Sequence, residues 1–287
     1  IVVQPTFLTD TIRVKVLGDL VWEGNETFEL VLDSVKNGNL GPTHADSVGI
    51  GTILDNESPP VLFFAKTSDT VSEGASKPLK VKMSFRIGRP LTVDYAVVAS
   101  PGFAAVEGTD YALVPSPKTL AFPANSDSAF ITASAVADGV WESTERFSIQ
   151  LQNSSVSAVT IDPVKGKDTV AILSNDPIPV VTINDTAVDE GNGAAWRVWL
   201  KGGSSSGDSA CFDWTTQDCG TADGASAGKD YTVRSGHACI PAGSNSVTLP
   251  MVSTLTDTLY ENPEIFRIKL TPTFGLNATA DRLGTVT

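Results

Sequence analysis

Asp138-Gly139-Val140-Trp141-Glu142-Ser143-Thr144-Glu145-Arg146-Phe147 decides the fold, because the chain carries this segment three times. Its counterparts are Asp19-Leu20-Val21-Trp22-Glu23-Gly24-Asn25-Glu26-Thr27-Phe28 and Asp257-Thr258-Leu259-Tyr260-Glu261-Asn262-Pro263-Glu264-Ile265-Phe266. Each reads Asp-x3-Glu-x2-Glu-x-Phe with an aromatic before the first Glu, and successive copies begin 119 residues apart. A repeat at a fixed period marks an array of similar structural units.

Other landmarks keep the phase. Val71-Ser72-Glu73-Gly74 returns as Val188-Asp189-Glu190-Gly191, and Gly108-Thr109-Asp110-Tyr111 as Gly228-Lys229-Asp230-Tyr231. Gly51-Thr52-Ile53-Leu54-Asp55-Asn56 matches Val170-Ala171-Ile172-Leu173-Ser174-Asn175-Asp176. Between landmarks the chain alternates apolar and polar residues, as half-buried strands require: Leu79 to Phe85, Leu91 to Tyr95, Phe147 to Leu151 and Thr11 to Val16. Gly, Pro, Asn, Asp and Ser cluster between these runs and supply turns. No stretch of helical length shows apolar residues at a 3.6 period. About seven short strands per unit reads as a two-sheet antiparallel sandwich.

Composition narrows the function. A net charge of −13 over 287 residues makes nucleic acid and anionic membranes poor partners and cations natural ones. No apolar run approaches the roughly 20 residues of a membrane helix. His44 and His237 stand in no metalloprotease or triad context and read as surface loop residues. The acids recur alike in each unit, which suits a module-level role rather than one active site, so no enzyme is expected.

These motifs, in this order and with this recurrence, resemble the Calx-β family over essentially the whole chain. The resemblance implies all-β, immunoglobulin-like antiparallel sandwiches in tandem. Phase then predicts the C-terminal half of a module over 1–57, a complete module over 58–177, and over 178–287 a module lacking the end of its last strand. On that reading the sequence is a window on a longer array. The first half-sandwich would expose Ile12, Val14 and Val16 unless another segment or chain covers them.

In calcium-binding members of the family, carboxylates from separate loops converge at one end of the sandwich. By position the second module would contribute Glu73, Asp110, Asp138, Glu142, Glu145 and Asp176. The third would contribute Glu190, Asp230, Asp257, Glu261 and Glu264, and the first Asp19, Glu23, Glu26 and Asp55. Calcium takes six to eight oxygens, so such a set suits it. The segment here has a single Asp, after Gly18, Ala137 or Thr256, where strong binders have consecutive acids, which implies weak to moderate affinity. The competing role for these acids is to cap turns by accepting backbone hydrogen bonds.

Cys211 and Cys239 hold outward positions on strands expected to be antiparallel neighbours, which favours a Cys211–Cys239 disulfide over Cys219–Cys239. Asn25, Asn56, Asn153, Asn184 and Asn277 begin glycosylation sequons. Ser58-Pro59-Pro60 and Pro177-Ile178-Pro179 make short, stiff joints. The expected role is a structural or adhesive extracellular or cell-surface array, a filament or stalk stiffened by calcium at module junctions. Its expected partners are neighbouring modules, other copies, or a matrix or cell-surface ligand, without nucleic acid or membrane insertion. The alternative is a calcium-sensing regulatory domain of a membrane protein.

Overall fold

The computed structural model describes residues 3, 9–38, 40, 47–100, 102–201, 206–221, 223–258, 262–277 and 282–286. Among them there is no α-helix. The second module is a sandwich of two five-stranded sheets. One sheet runs, edge to edge, Thr119–Phe122, Leu91–Val98, Glu145–Ser154, Lys167–Leu173 and Ser68–Ser72. The other runs Thr160–Ile161, Val61–Phe64, Ser76–Met83, Ser128–Ala135 and Tyr111–Val114. The sheets have more than the seven strands expected, some of them short edge segments such as Thr160–Ile161. Most pairings are antiparallel, but each entering strand makes a parallel one: Ser68–Ser72 lies parallel to Lys167–Leu173, and Val61–Phe64 parallel to Thr160–Ile161.

Alternation does what the sequence implies. Leu79, Val81 and Met83 face inward, as do Leu91, Val93 and Tyr95, and Phe147, Ile149 and Leu151. Each buried side chain of this size contributes about 1.5–3 kcal/mol. Phe85 departs from the pattern. Its strand ends at Met83, the chain turns, and the ring is 52% exposed.

The third module repeats the plan with a four-stranded sheet of Ser235–Ile240, Ala210–Asp218, Phe266–Phe274 and Arg282–Val286. Facing strands are Val181–Ile183, Arg197–Leu200 and Ser246–Thr248, with Gly193–Ala194 paired to Val252–Ser253. Trp196, Phe212, Trp214, Tyr231, Phe266 and Ile268 form its core. Cys211 lies directly opposite Cys239, and the two form a disulfide. Cys211 is nearly buried, in contrast to the outward position expected, because Phe274 lies opposite it on the neighbouring strand. Cys219 is a free thiol. His237 is on a strand, not in a loop, and its Nδ1 sits 2.9 Å from Asp213 Oδ1; His44 lies outside the described residues.

The first segment forms the hairpin Glu26–Val31 with Val48–Ile53. The strand expected over Thr11 to Val16 is absent, and Ile12, Val14 and Val16 are 40–51% exposed. One period on, the matching strand Ser128–Ala135 is held by Ser76–Met83 and Tyr111–Val114.

Candidate metal centre

The repeated motifs meet in the core before they meet at the surface. Tyr111, from the Gly-x-Asp-Tyr turn, stacks on Phe147, from the Glu-x2-Glu-x-Phe segment, with ring centroids 3.7 Å apart. Tyr231 stacks on Phe266 in the third module at 4.1 Å. The turn is equally fixed. Gly108 and Gly228 take left-handed φ values of 93° and 78°, where a side chain is strained. Asp110 Oδ2 then accepts the N–H of Val106 at 2.5 Å, and Asp230 Oδ2 that of Ser226 at 2.6 Å. Each stack therefore anchors an aspartate one residue before the Tyr and a glutamate two residues before the Phe.

In the second module all six acids come together, as two neighbouring triads. Glu73, Asp138 and Asp176 form one and Asp110, Glu142 and Glu145 the other, with the carboxylate oxygens of each triad within 4.8 Å of one another. Burial, then the repulsion of Asp138, Asp110, Glu73 and Asp208, pushes Glu142 up to about 7. Burial, then Asp110 and Glu142, does the same to Glu145. Glu73, only 7% exposed, is also raised, chiefly by burial. Asp176 Oδ2 and the Ser143 hydroxyl are buried without a hydrogen-bond partner.

Asp208 belongs to the third module and was not anticipated. Its Oδ2 accepts the backbone N–H of Ser143 at 2.6 Å, which sets a seventh carboxylate beside the second module's acids. One period earlier the residue is Arg89, so the repeat gave no hint of it.

Among the described residues the other modules show no such carboxylate triad. Asp19, Glu23, Glu26 and Asp55 line one concavity of the first. Asp55 there acts as a turn cap: burial would raise its pKa, but N–H groups of Glu57, Gly24 and Glu23 hold it below the ordinary value. Glu23 is raised by desolvation and by Glu26, Asp19 and Asp55. In the third module Glu190, Asp230 and Glu264 line a cleft of about 630 Å³. Asp257 is exposed and is not among that cleft's lining residues, and Glu261 lies outside the described residues. Of the sequon asparagines, Asn25, Asn56 and Asn153 are exposed, whereas Asn184 and Asn277 are half-buried. The Asn184 side chain accepts the N–H of Arg197.

A family model described as the Calx-beta domain matches residues 4–53, 55–176 and 175–284. The chain belongs to the Calx-β family. Its modules are thus tandem Calx-β domains of the immunoglobulin-like sandwich type. Among solved structures it is similar to the Calx CBD1 domain in its apo form, at 28% identity over 42% of this chain and 100% of that one, with a TM-score of 0.36. It is also similar to CBD12 from CALX1.2, at 20% identity over 74% and 80% of the two chains, TM-score 0.36. A third is the calcium binding domain CBD12 of CALX1.1, at 18% identity over 78% and 98%, TM-score 0.35.

Calcium is the group this family implies, and the second module's residues fit it. The donors are all hard carboxylate oxygens, and the buried Asp176 Oδ2 and Ser143 hydroxyl oxygens lack partners. A cation would offset the repulsion that adds to burial in raising Glu142 and Glu145.

Proposed function

We propose that this chain is a stretch of a structural or adhesive array at the cell surface or outside the cell, in which Calx-β modules hold calcium where one module meets the next. The observation that carries this reading is the pair of triads in the second module, with Asp208 of the third reaching into them. Glu73, Asp138 and Asp176, and Asp110, Glu142 and Glu145, would hold the metal, and the role is non-catalytic. A cation shared near the joint ties two rigid bodies, which suits a stalk or filament. The disulfide fits an oxidising compartment. No described helix is long and apolar enough to cross a membrane. The exposed sequons at Asn25, Asn56 and Asn153 are the better glycan acceptors.

Scanning calorimetry of the chain in millimolar calcium against EDTA tests the metal. A ligand bound only by the folded state, at 100 times its Kd, adds about 2.7 kcal/mol. An unchanged melting temperature leaves turn capping as the role of these acids.

A further inference from the structure

The two joints between modules share one element at the same place in the repeat. At the first, the N–H of Gly88 donates to the carbonyl of Trp22 at 3.1 Å; at the second, Gly207 donates to the carbonyl of Trp141 at 3.0 Å. The tryptophans are 119 residues apart and so are the glycines, so each bond reaches from one module into the next at the same place in the repeat.

Both glycines lie hard against the glutamate that follows the tryptophan. A Cβ on Gly88 would stand 2.4 Å from Glu23 Oε1 and 2.6 Å from its Cγ. On Gly207 it would stand 2.3 Å from Glu142 Oε1 and 2.4 Å from its Cγ. Neither glycine has a positive φ, so what it supplies is room and not backbone freedom. The surroundings differ while this element stays. Trp22 is buried in the second module's core, under Arg89 at 5.1 Å from its ring, whereas the Trp141 carbonyl also accepts the Ser206 hydroxyl at 3.2 Å. Arg89 and Asp208, each next to its glycine, carry opposite charges.

The geometry points to a clasp, Trp-Glu of one module against Gly of the next, as the surface by which consecutive modules of this chain recognise each other and fix their relative orientation. The partner it accepts is a following module with glycine at that position. The clasp rests on the reading of the chain as a stiff array but needs no metal, because its parts are a backbone hydrogen bond and a steric fit. A side chain at the glycine pushes Glu142 or the whole module aside and opens the joint.

The test uses the whole chain in EDTA, with Cys219→Ser and spin labels on cysteines placed at the exposed Gln152 and Gln217. The parent is expected to give one narrow interspin distance, and Gly207→Ala to lose it in favour of a broad or shifted distribution. Gly207→Ala with Glu142→Ala is expected to recover the narrow peak, which separates a steric clasp from misfolding. Should the Gly207 variants not fold, Gly88→Ala with and without Glu23→Ala, labelled at Glu29 and Gln152, gives the same reading at the first joint. An unchanged peak in both Gly207→Ala and Gly207→Val overturns the clasp, as does a broadening that Glu142→Ala leaves untouched. A parent that is broad in EDTA and narrows on adding calcium also overturns it, while leaving the calcium reading intact.

Discussion

Tyr111 and Phe147 stack almost parallel, with 8° between their planes, and the carboxylates of Asp110 and Glu145 stand together because of that stack. The core pair and the surface pair are one construction. Phe147→Ala is expected to cost about 3–5 kcal/mol, the range for truncating a buried aromatic. It should also weaken calcium binding to the second module beyond what lost stability explains, since Glu145 loses its anchor. Denaturant unfolding followed by calorimetric titration on the still-folded fraction checks both parts.

Asp208 adds charge to the second module's acids from across the joint. Asp208→Asn keeps the oxygen that accepts from Ser143 and removes the charge. The metal-free joint is expected to hold as well or better, while calcium affinity falls by about 1 kcal/mol or less, the range of part-exposed charge interactions. Isothermal titration of parent and variant decides this, and equal affinities would remove Asp208 from the site.

Asp168 is 1% exposed, and its Oδ1 has no partner. Burial, then Asp69, pushes it up to about 7 from 3.8, with the backbone N–H of Thr169, then Lys66 and Lys77, offsetting only part of this. The folded state thus keeps a proton that the unfolded chain loses near pH 4. Its contribution to stability is full below that point, declines as pH rises through about 7, and then levels off. Asp168→Asn should abolish this decline and make the second module more stable than the parent at pH 8, by about 1–3 kcal/mol. Melting temperatures of both from pH 4 to 8 provide the check; parallel curves would show that Asp168 ionises normally.

The Cys211–Cys239 bond closes a loop of 28 residues between adjacent strands. Replacing both cysteines by alanine is expected to lower the third module's stability by about 3 kcal/mol and leave the second unchanged. Two separate unfolding transitions, with only one moving, would be the signature. Non-reducing peptide mapping identifies the bond itself, and a Cys219–Cys239 peptide would overturn the assignment.

The fold was legible because its main signals are local. Alternation at Leu91 to Tyr95 and Phe147 to Leu151 places the right residues inside, and the repeat supplies the order of elements. Alternation also marks Asp168, two and four residues before the buried Val170 and Ile172, as inward-facing. The same rule misleads at Thr11 to Val16, where no strand forms, and at Phe85, where the strand has already ended and the chain turned, since a pattern does not encode where a strand stops. The acids of the second module could be read from the repeat, but their division into two triads depends on loop placement that spacing does not encode. Asp208 was invisible for a different reason: it acts in a module other than its own.

The second strand of the second module, Ser68–Ser72, and its last, Lys167–Leu173, run side by side in the same direction, from Ser68 beside Thr169 to Ser72 beside Leu173. Tension along the array therefore pulls the two strands past each other lengthwise. The row of backbone hydrogen bonds between them is loaded all at once, and cannot be opened one bond at a time from an end. Resistance to stretching is a matter of unfolding rate and not of equilibrium stability. A module tied in this way can bear load even where its folding free energy is ordinary.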